Sequence, residues 1–198
     1  LICQRRLFRK IFKSQNLKMC KFIQLTTNNL FTNLHYIPLI WENYTKYFKY
    51  LQDDFSDNDI NILSLVEKTV PYFWIIINNK NQYMGFVFLD NFVGNNNALY
   101  SAELTTCFEK HAWGDFTKYS AKIFLEKCFK DFGFKKIKAL IFPDNFRVKT
   151  LLKASGFNYE TTLKSETLRG GKPQDIEIYS LYKTTSEVKH GNIHNSCI

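Results

Sequence analysis

Residues 111–124 read HAWGDFTKYSAKIF, and they stand between a strand-like run and a helical one. The run before them, ALYSAELTTCF at 98–108, alternates apolar and polar residues as a half-buried strand does. After them the period changes. Ala121, Phe124, Leu125, Cys128, Phe129 and Phe132 fall at i, i+3, i+4, i+7, i+8 and i+11, one apolar stripe of a helix that Gly133 is expected to stop. A helix opening at Gly114 presents unpaired N–H groups and the positive end of its dipole, and a glycine lets an oxyanion approach the backbone. Strand, glycine turn and helix together therefore form a candidate phosphate cradle. The competing reading of the same residues is a plain turn with Phe116 as a core anchor.

Working outward, KFIQL (21–25) reads as a first strand, and TTNN supplies N-cap candidates for the aromatic-rich LFTNLHYIPLIWENYTKYFKYLQ, a helical segment interrupted at Pro38. The polar DDFSDND separates it from a second helix, INILSLVEKTV. Residues 72–77, 83–93 and 98–108 follow as three consecutive strands of an antiparallel meander. Beyond the central helix, FKKIKALIF alternates at Ile137, Ala139 and Ile141, and FRVKTLLKAS puts Val148, Leu151 and Leu152 on one helix face. FNYETTLKSETL and DIEIYSLY, joined by RGGKPQ, close the order as a strand pair. The result is β-α-α-β-β-β-α-β-α-β-β, an α/β domain.

The chain has 198 residues, 45% of them hydrophobic and 17% aromatic, which suits one core and excludes global disorder. Its longest apolar block, YFWIII, is strand-length and well short of the about 18 residues of a membrane span. Five cysteines show no CxxC or CxxH spacing, and their odd number leaves one unpaired in any disulfide scheme. Reduced thiols, a cytoplasmic location and no metal site are expected. Of the net charge of +9, seven cations and no acid lie in residues 1–21, which leaves +2 for the rest. Nucleic-acid contacts are accordingly not expected outside a basic N-terminal arm. Residues 1–18 are expected to be that arm or an upstream extension, 19–183 the domain, and 184–198 a mobile tail.

The element order, with KHAWGD between strand and helix, resembles the GCN5-related N-acetyltransferase (GNAT) family, closest to its ribosomal-protein N-terminal acetyltransferase branch. Three anchors carry the resemblance. His111-Ala112-Trp113-Gly114-Asp115-Phe116 occupies the place of the family's Q/R-x-x-G-x-G/A loop, with His111 and Phe116 as departures. Asn145 precedes Gly156-Phe157 at the branch's eleven-residue interval. The run from Gly171 to Leu181 is similar to the branch's closing motif.

The resemblance implies a mixed central sheet of about six or seven strands flanked by about four helices. It also implies acetyl transfer from acetyl-CoA, without a metal, to an amine on a protein N-terminus or a small molecule. By the same resemblance the coenzyme lies along Thr105, Thr106, Cys107 and Phe108, its pyrophosphate meets the 111–116 loop, and Asn145 and Arg147 contact it. Glu103 resembles a Glu that family members use as general base, and Tyr179 is the remaining candidate for a general acid. Leu152 and Val148 stand where other members carry Tyr and Ser, so a catalytically degenerate descendant that binds acyl-CoA or a protein partner is the alternative. A monomer or homodimer is expected.

Overall fold

The computed structural model describes residues 20–56, 61–95 and 98–183. The basic arm at 1–18 and the tail at 184–198 lie outside the described residues. Seven strands form one mixed sheet: β1 (Lys21–Leu25), β2 (Phe73–Ile77), β3 (Tyr83–Asn95), β4 (Ala98–Phe108), β5 (Lys136–Ile141), β6 (Asn158–Arg169) and β7 (Lys172–Tyr182). Their spatial order is β1-β2-β3-β4-β5-β7-β6, with β1 to β4 an antiparallel meander and β4–β5 the parallel pair. Five α-helices cover it: α1 (Ile37–Lys46), α2 (Phe48–Leu51), α3 (Ile62–Thr69), α4 (Asp115–Lys130) and α5 (Phe146–Ala154).

Each face of the sheet carries its own core. On one, Phe73, Ile75, Phe86 and Phe88 pack against Ile40 and Tyr44 of α1 and Ile62 and Val66 of α3. On the other, Trp74, Val87, Leu89 and Ile137 pack against Phe124, Leu125 and Cys128 of α4 and Leu152 of α5. Strand alternation produces this division, since neighbouring side chains point to opposite faces.

Two local expectations need correction. Pro38 does not interrupt a helix. It stands in the first turn of α1, where its missing N–H costs nothing, and a 3-10 helix (Phe31–Tyr36) precedes it. The central helix ends at Lys130 rather than at Gly133, which turns the chain three residues later. Its buried face also begins with polar residues: the Thr117 hydroxyl donates to the Ala112 carbonyl and the Ser120 hydroxyl to the Phe116 carbonyl, so both are buried at little cost.

Two features position the site. First, β4 and β5 pair only over Ser101–Glu103 and Lys136–Lys138; beyond these, β4 continues with β3 and β5 with β7, and the sheet forks. Second, the turn between β6 and β7 is fastened to α2. The Asp54 carboxylate accepts from the N–H groups of Gly170 and Gly171, Thr167 donates to Asp53, and Arg169 donates to the Lys49 carbonyl while pairing with Asp144.

Candidate active site

A cavity of about 520 Å³ occupies the fork. One wall is the open edge of β4 at Thr106, Cys107 and Phe108, another the start of α4 at Trp113, Gly114, Thr117 and Lys118, and a third α5 from Asn145 to Leu151. Tyr47, Tyr50 and Leu51 close it from the α1–α3 side of the sheet, so the space runs through the sheet from one face to the other.

The backbone supplies much of its chemistry. The Glu109 N–H donates to the Met84 carbonyl of β3, so the alternate residues Phe108 and Thr106 turn their peptide groups toward the fork. The Trp113 indole N–H donates to the Phe108 carbonyl at 3.2 Å. At the start of α4, Gly114 adopts φ 103° and ψ −128°, a conformation that side chains rarely tolerate. A Cβ there would meet no atom within 4 Å, so the peptide borders open space. The N–H groups of Asp115, Phe116 and Thr117 follow as first-turn donors without partners inside the helix.

Side chains add charge and shape. The Arg147 guanidinium lies 4.0 Å over the Trp113 ring, whose centroid is 5.8 Å from that of Tyr47. Lys118 lines the same space. The Asn145 side chain caps α5 by accepting from the Val148 N–H at 3.4 Å and still borders the cavity. Lys149 is occupied elsewhere, pairing with Glu177 at 2.8 Å. Among the described residues, no group of three or more His, Cys, Asp or Glu is placed to hold a metal ion. No helix there is long and apolar enough to cross a membrane.

Of the residues singled out from sequence, the cavity gathers Thr106, Cys107, Phe108, Trp113, Gly114, Asn145 and Arg147. The side chains of Thr105, His111, Ala112, Asp115 and Phe116 lie outside its lining: His111 is exposed, Ala112 is buried, and Phe116 packs on the α4-side core. Cys107 is buried, its thiol donating to the Asn43 carbonyl, and burial pushes that thiol far above its ordinary value, which suits a packed side chain.

Glu103 and Tyr179 are not brought together. Glu103 pairs in register with Lys138, and Lys138 with Ser180, so these three share a face and Tyr179, next to Ser180, takes the opposite one. Tyr179 is 4% exposed in the α4-side core and donates to Glu177. Tyr179, the remaining candidate acid, therefore sits in the α4-side core, across the sheet from Glu103. Glu103 stays at the point where the strands part, outside the cavity lining, bonded to Lys138 and Asn91 at 2.8 Å each. Tyr47, Tyr50 and Leu51 were missed, because the long-range packing that brings α1 and α2 to the fork leaves no local signal.

Comparison with curated proteins gives no significant match. Among solved structures, the chain is similar to a ribosomal-protein-S5-alanine acetyltransferase from Vibrio fischeri, at 15% identity over 83% of this chain and 93% of that one, with a TM-score of 0.64. It is similar to a spermidine N-acetyltransferase from Vibrio cholerae, solved in complex with CoA and spermine, at 18% identity over 83% and 96%, TM-score 0.64. A third likeness is to Mycobacterium smegmatis RimJ in complex with CoA-disulfide, at 13% identity over 82% and 81%, TM-score 0.64. At these identities the likeness is one of fold. The family model for the acetyltransferase (GNAT) domain matches residues 30–158. With strands β2 to β5, the fork between β4 and β5 and the glycine-opened α4 inside that match, the chain belongs to the GNAT acetyltransferase family.

Proposed function

We propose that this protein transfers an acetyl group from acetyl-CoA to an amine. The observation that carries the reading is the cavity threading the fork, with a helix N-terminus at one end and an aromatic wall at the other. The residues present fit the coenzyme. Open space at Gly114 beside unpaired N–H groups suits a pyrophosphate, and Lys118 and Arg147 add positive charge. The peptide groups of Thr106 and Phe108 offer strand-like hydrogen bonds to an extended amide-bearing arm, and Asn145 borders the same path.

Acetyl-CoA supplies an activated thioester. The chain's part is to hold it in the fork, exclude water with Tyr47, Tyr50 and Leu51, and take a proton from the incoming ammonium, which attacks only as the neutral amine. The carboxylate face at the base of the fork, where Glu103 lies, is the place for that proton. The acceptor is an amine of a protein or a small molecule, reached from the α1–α3 face.

Calorimetry with acetyl-CoA, followed by thiol-release assays over a panel of amines and N-terminal peptides, tests the reading. Micromolar binding with transfer to at least one acceptor supports it. Binding with no transfer to any amine assigns the fork to a coenzyme-binding protein instead, and absence of binding refutes both.

A further inference from the structure

Arg169, the last residue of β6, reaches two walls of the cavity without lining it. One of its terminal N–H groups donates to the Lys49 carbonyl at 3.0 Å, and Lys49 precedes Tyr50 and Leu51, the wall contributed by α2. The same guanidinium grips the Asp144 carboxylate with two bonds, at 3.3 and 3.0 Å. Asp144 precedes Asn145, Phe146 and Arg147, the wall at the start of α5. A fourth bond, at 3.0 Å, goes to Gln174 on β7, and the guanidinium carbon lies 4.4 Å over the Phe142 ring. Neither wall is held firmly by its own local structure. α2 is a single turn of four residues, too short to stand alone, and the Lys49 carbonyl is one of the last-turn acceptors that a helix leaves unpaired. The cap that Asn145 gives α5 is a long one, 3.4 Å. Asp53 and Asp54, just past α2, bind the end of the β6–β7 hairpin, so α2 and that hairpin form one fastened unit. The Arg169–Asp144 pair joins this unit to α5.

We infer that Arg169 is a positioning residue of the acetyl-transfer site: one guanidinium, bound to Lys49 on one wall and to Asp144 on another, fixes the separation of Tyr50 and Leu51 from Asn145 and Arg147. This rests on the acetyl-transfer reading above and adds a residue that acts through its neighbours, touching neither coenzyme nor amine. By that reading the coenzyme lies along β4 and α5 while the amine comes past the aromatic wall. The spacing of the walls then sets the distance across which amine and thioester meet. A misplacement of about 1 Å in such a meeting costs roughly 10²-fold in rate. The role needs an arginine. Its planar fork serves acceptors on different elements at fixed angles, whereas a lysine ammonium is a point donor on a flexible stem. The first-turn donors of α4 are not among the groups that Arg169 touches, so coenzyme affinity depends on it much less than turnover does.

Arg169→Lys separates this role from a general loss of stability. On the best acceptor, assayed well below the melting point, kcat should fall roughly 10- to 10²-fold while acetyl-CoA affinity stays within about threefold. Asp144→Asn keeps the shape of the partner and weakens the two-pronged pair, so it should give a smaller fall in kcat with the same split. The double variant should lose no more than Arg169→Lys alone, as two ends of one interaction do. The control is Val66→Ala, which truncates a buried α3 side chain away from the cavity: its Tm should drop while its kcat stays at the wild-type value. Hydrogen exchange on the free proteins needs no acceptor. In Arg169→Lys the amides of residues 48–51 and of 146–149 should quicken together while those of 115–118 hold. If Arg169→Lys does not fold, Asp144→Asn carries the same test from the other end of the pair. Wild-type kcat in a folded Arg169→Lys, an equal loss of kcat in Val66→Ala, or exchange that quickens on one wall only refutes the assignment and leaves acetyl transfer intact. If no amine is acetylated by the wild type, the acetyl-transfer reading fails and this inference falls with it.

Discussion

Replacing Gly114 by Ala separates backbone strain from ligand contact, because a second glycine provides the control. Gly114 has φ 103° and Gly170, in the β6–β7 turn, has φ 61°; an added Cβ at either would meet nothing within 4 Å. Both Ala variants are therefore charged with conformational strain and no clash, about 1–3 kcal/mol at Gly114 and about 1–2 kcal/mol at Gly170. For a chain of this size that is a fall of about 2–10 °C in Tm. They diverge in binding. The Gly114 methyl would project into the space where the coenzyme phosphates are proposed to lie, and acetyl-CoA affinity should fall at least about tenfold, roughly 1.4 kcal/mol. Gly170→Ala, far along the hairpin, should bind as the wild type does. Gly114→Glu sharpens the contrast by placing a carboxylate against the anion, with a loss of at least a few kcal/mol. Differential scanning calorimetry and isothermal titration on the same preparations supply both readouts. If Gly114→Ala melts low yet binds acetyl-CoA with wild-type affinity, the turn is structural only and the phosphate assignment is wrong.

Removing the Arg147 guanidinium from the Trp113 ring with Arg147→Ala should weaken coenzyme binding by about 1–2 kcal/mol and shift tryptophan fluorescence; unchanged titrations by both measures would detach this pair from the cavity. Asp54→Ala leaves the Gly170 and Gly171 N–H groups without their carboxylate, so hydrogen exchange across residues 166–174 should quicken and stability drop by about 1 kcal/mol. Asp90 gives a pH signature with a definite sign. Its native carboxyl is raised above its unfolded value, so between about pH 4 and 6 the native state holds more protons and stability falls as pH rises. Asp90→Asn should remove that slope and gain about 1 kcal/mol at pH 7 over its effect at pH 4, after allowance for partial exposure, as urea midpoints at the two pH values will report.

The element order was readable because β2 and the first half of β3 are strand-length apolar runs bounded by polar turns, and the stripe at Phe124, Leu125 and Cys128 carries α4. Thr117 and Ser120 were not readable as core positions, because a buried hydroxyl is permitted only by the carbonyl it finds one turn back, and composition does not reveal that bond. For the site, the strand-edge and loop residues were proposed through the family resemblance, while the aromatic wall depended on α1 and α2 folding back across the sheet. Tyr179 shows the limit of alternation. It identifies two faces within one strand, but only the Lys138–Ser180 register says which of them Glu103 shares. Asp90 ends the otherwise apolar run MGFVFL, and that Glu103 stands opposite it is legible only from the strand register.

Part of the cavity's wall is main chain: the peptide edge of β4 and the first turn of α4. Peptide groups survive substitution by any residue other than proline, which removes the N–H. A pocket of that kind is tolerant of drift, since substitutions such as those that set His111 and Phe116 in this loop alter the groups around the donors and leave the donors in place. What such a wall requires is backbone shape, at Gly114 and at the three-residue seam where β4 and β5 meet. This accounts for a fold shared along four-fifths of the chain with proteins at 13–18% identity. In this lineage the architecture is inherited as geometry, and the letters spelling it are free to change.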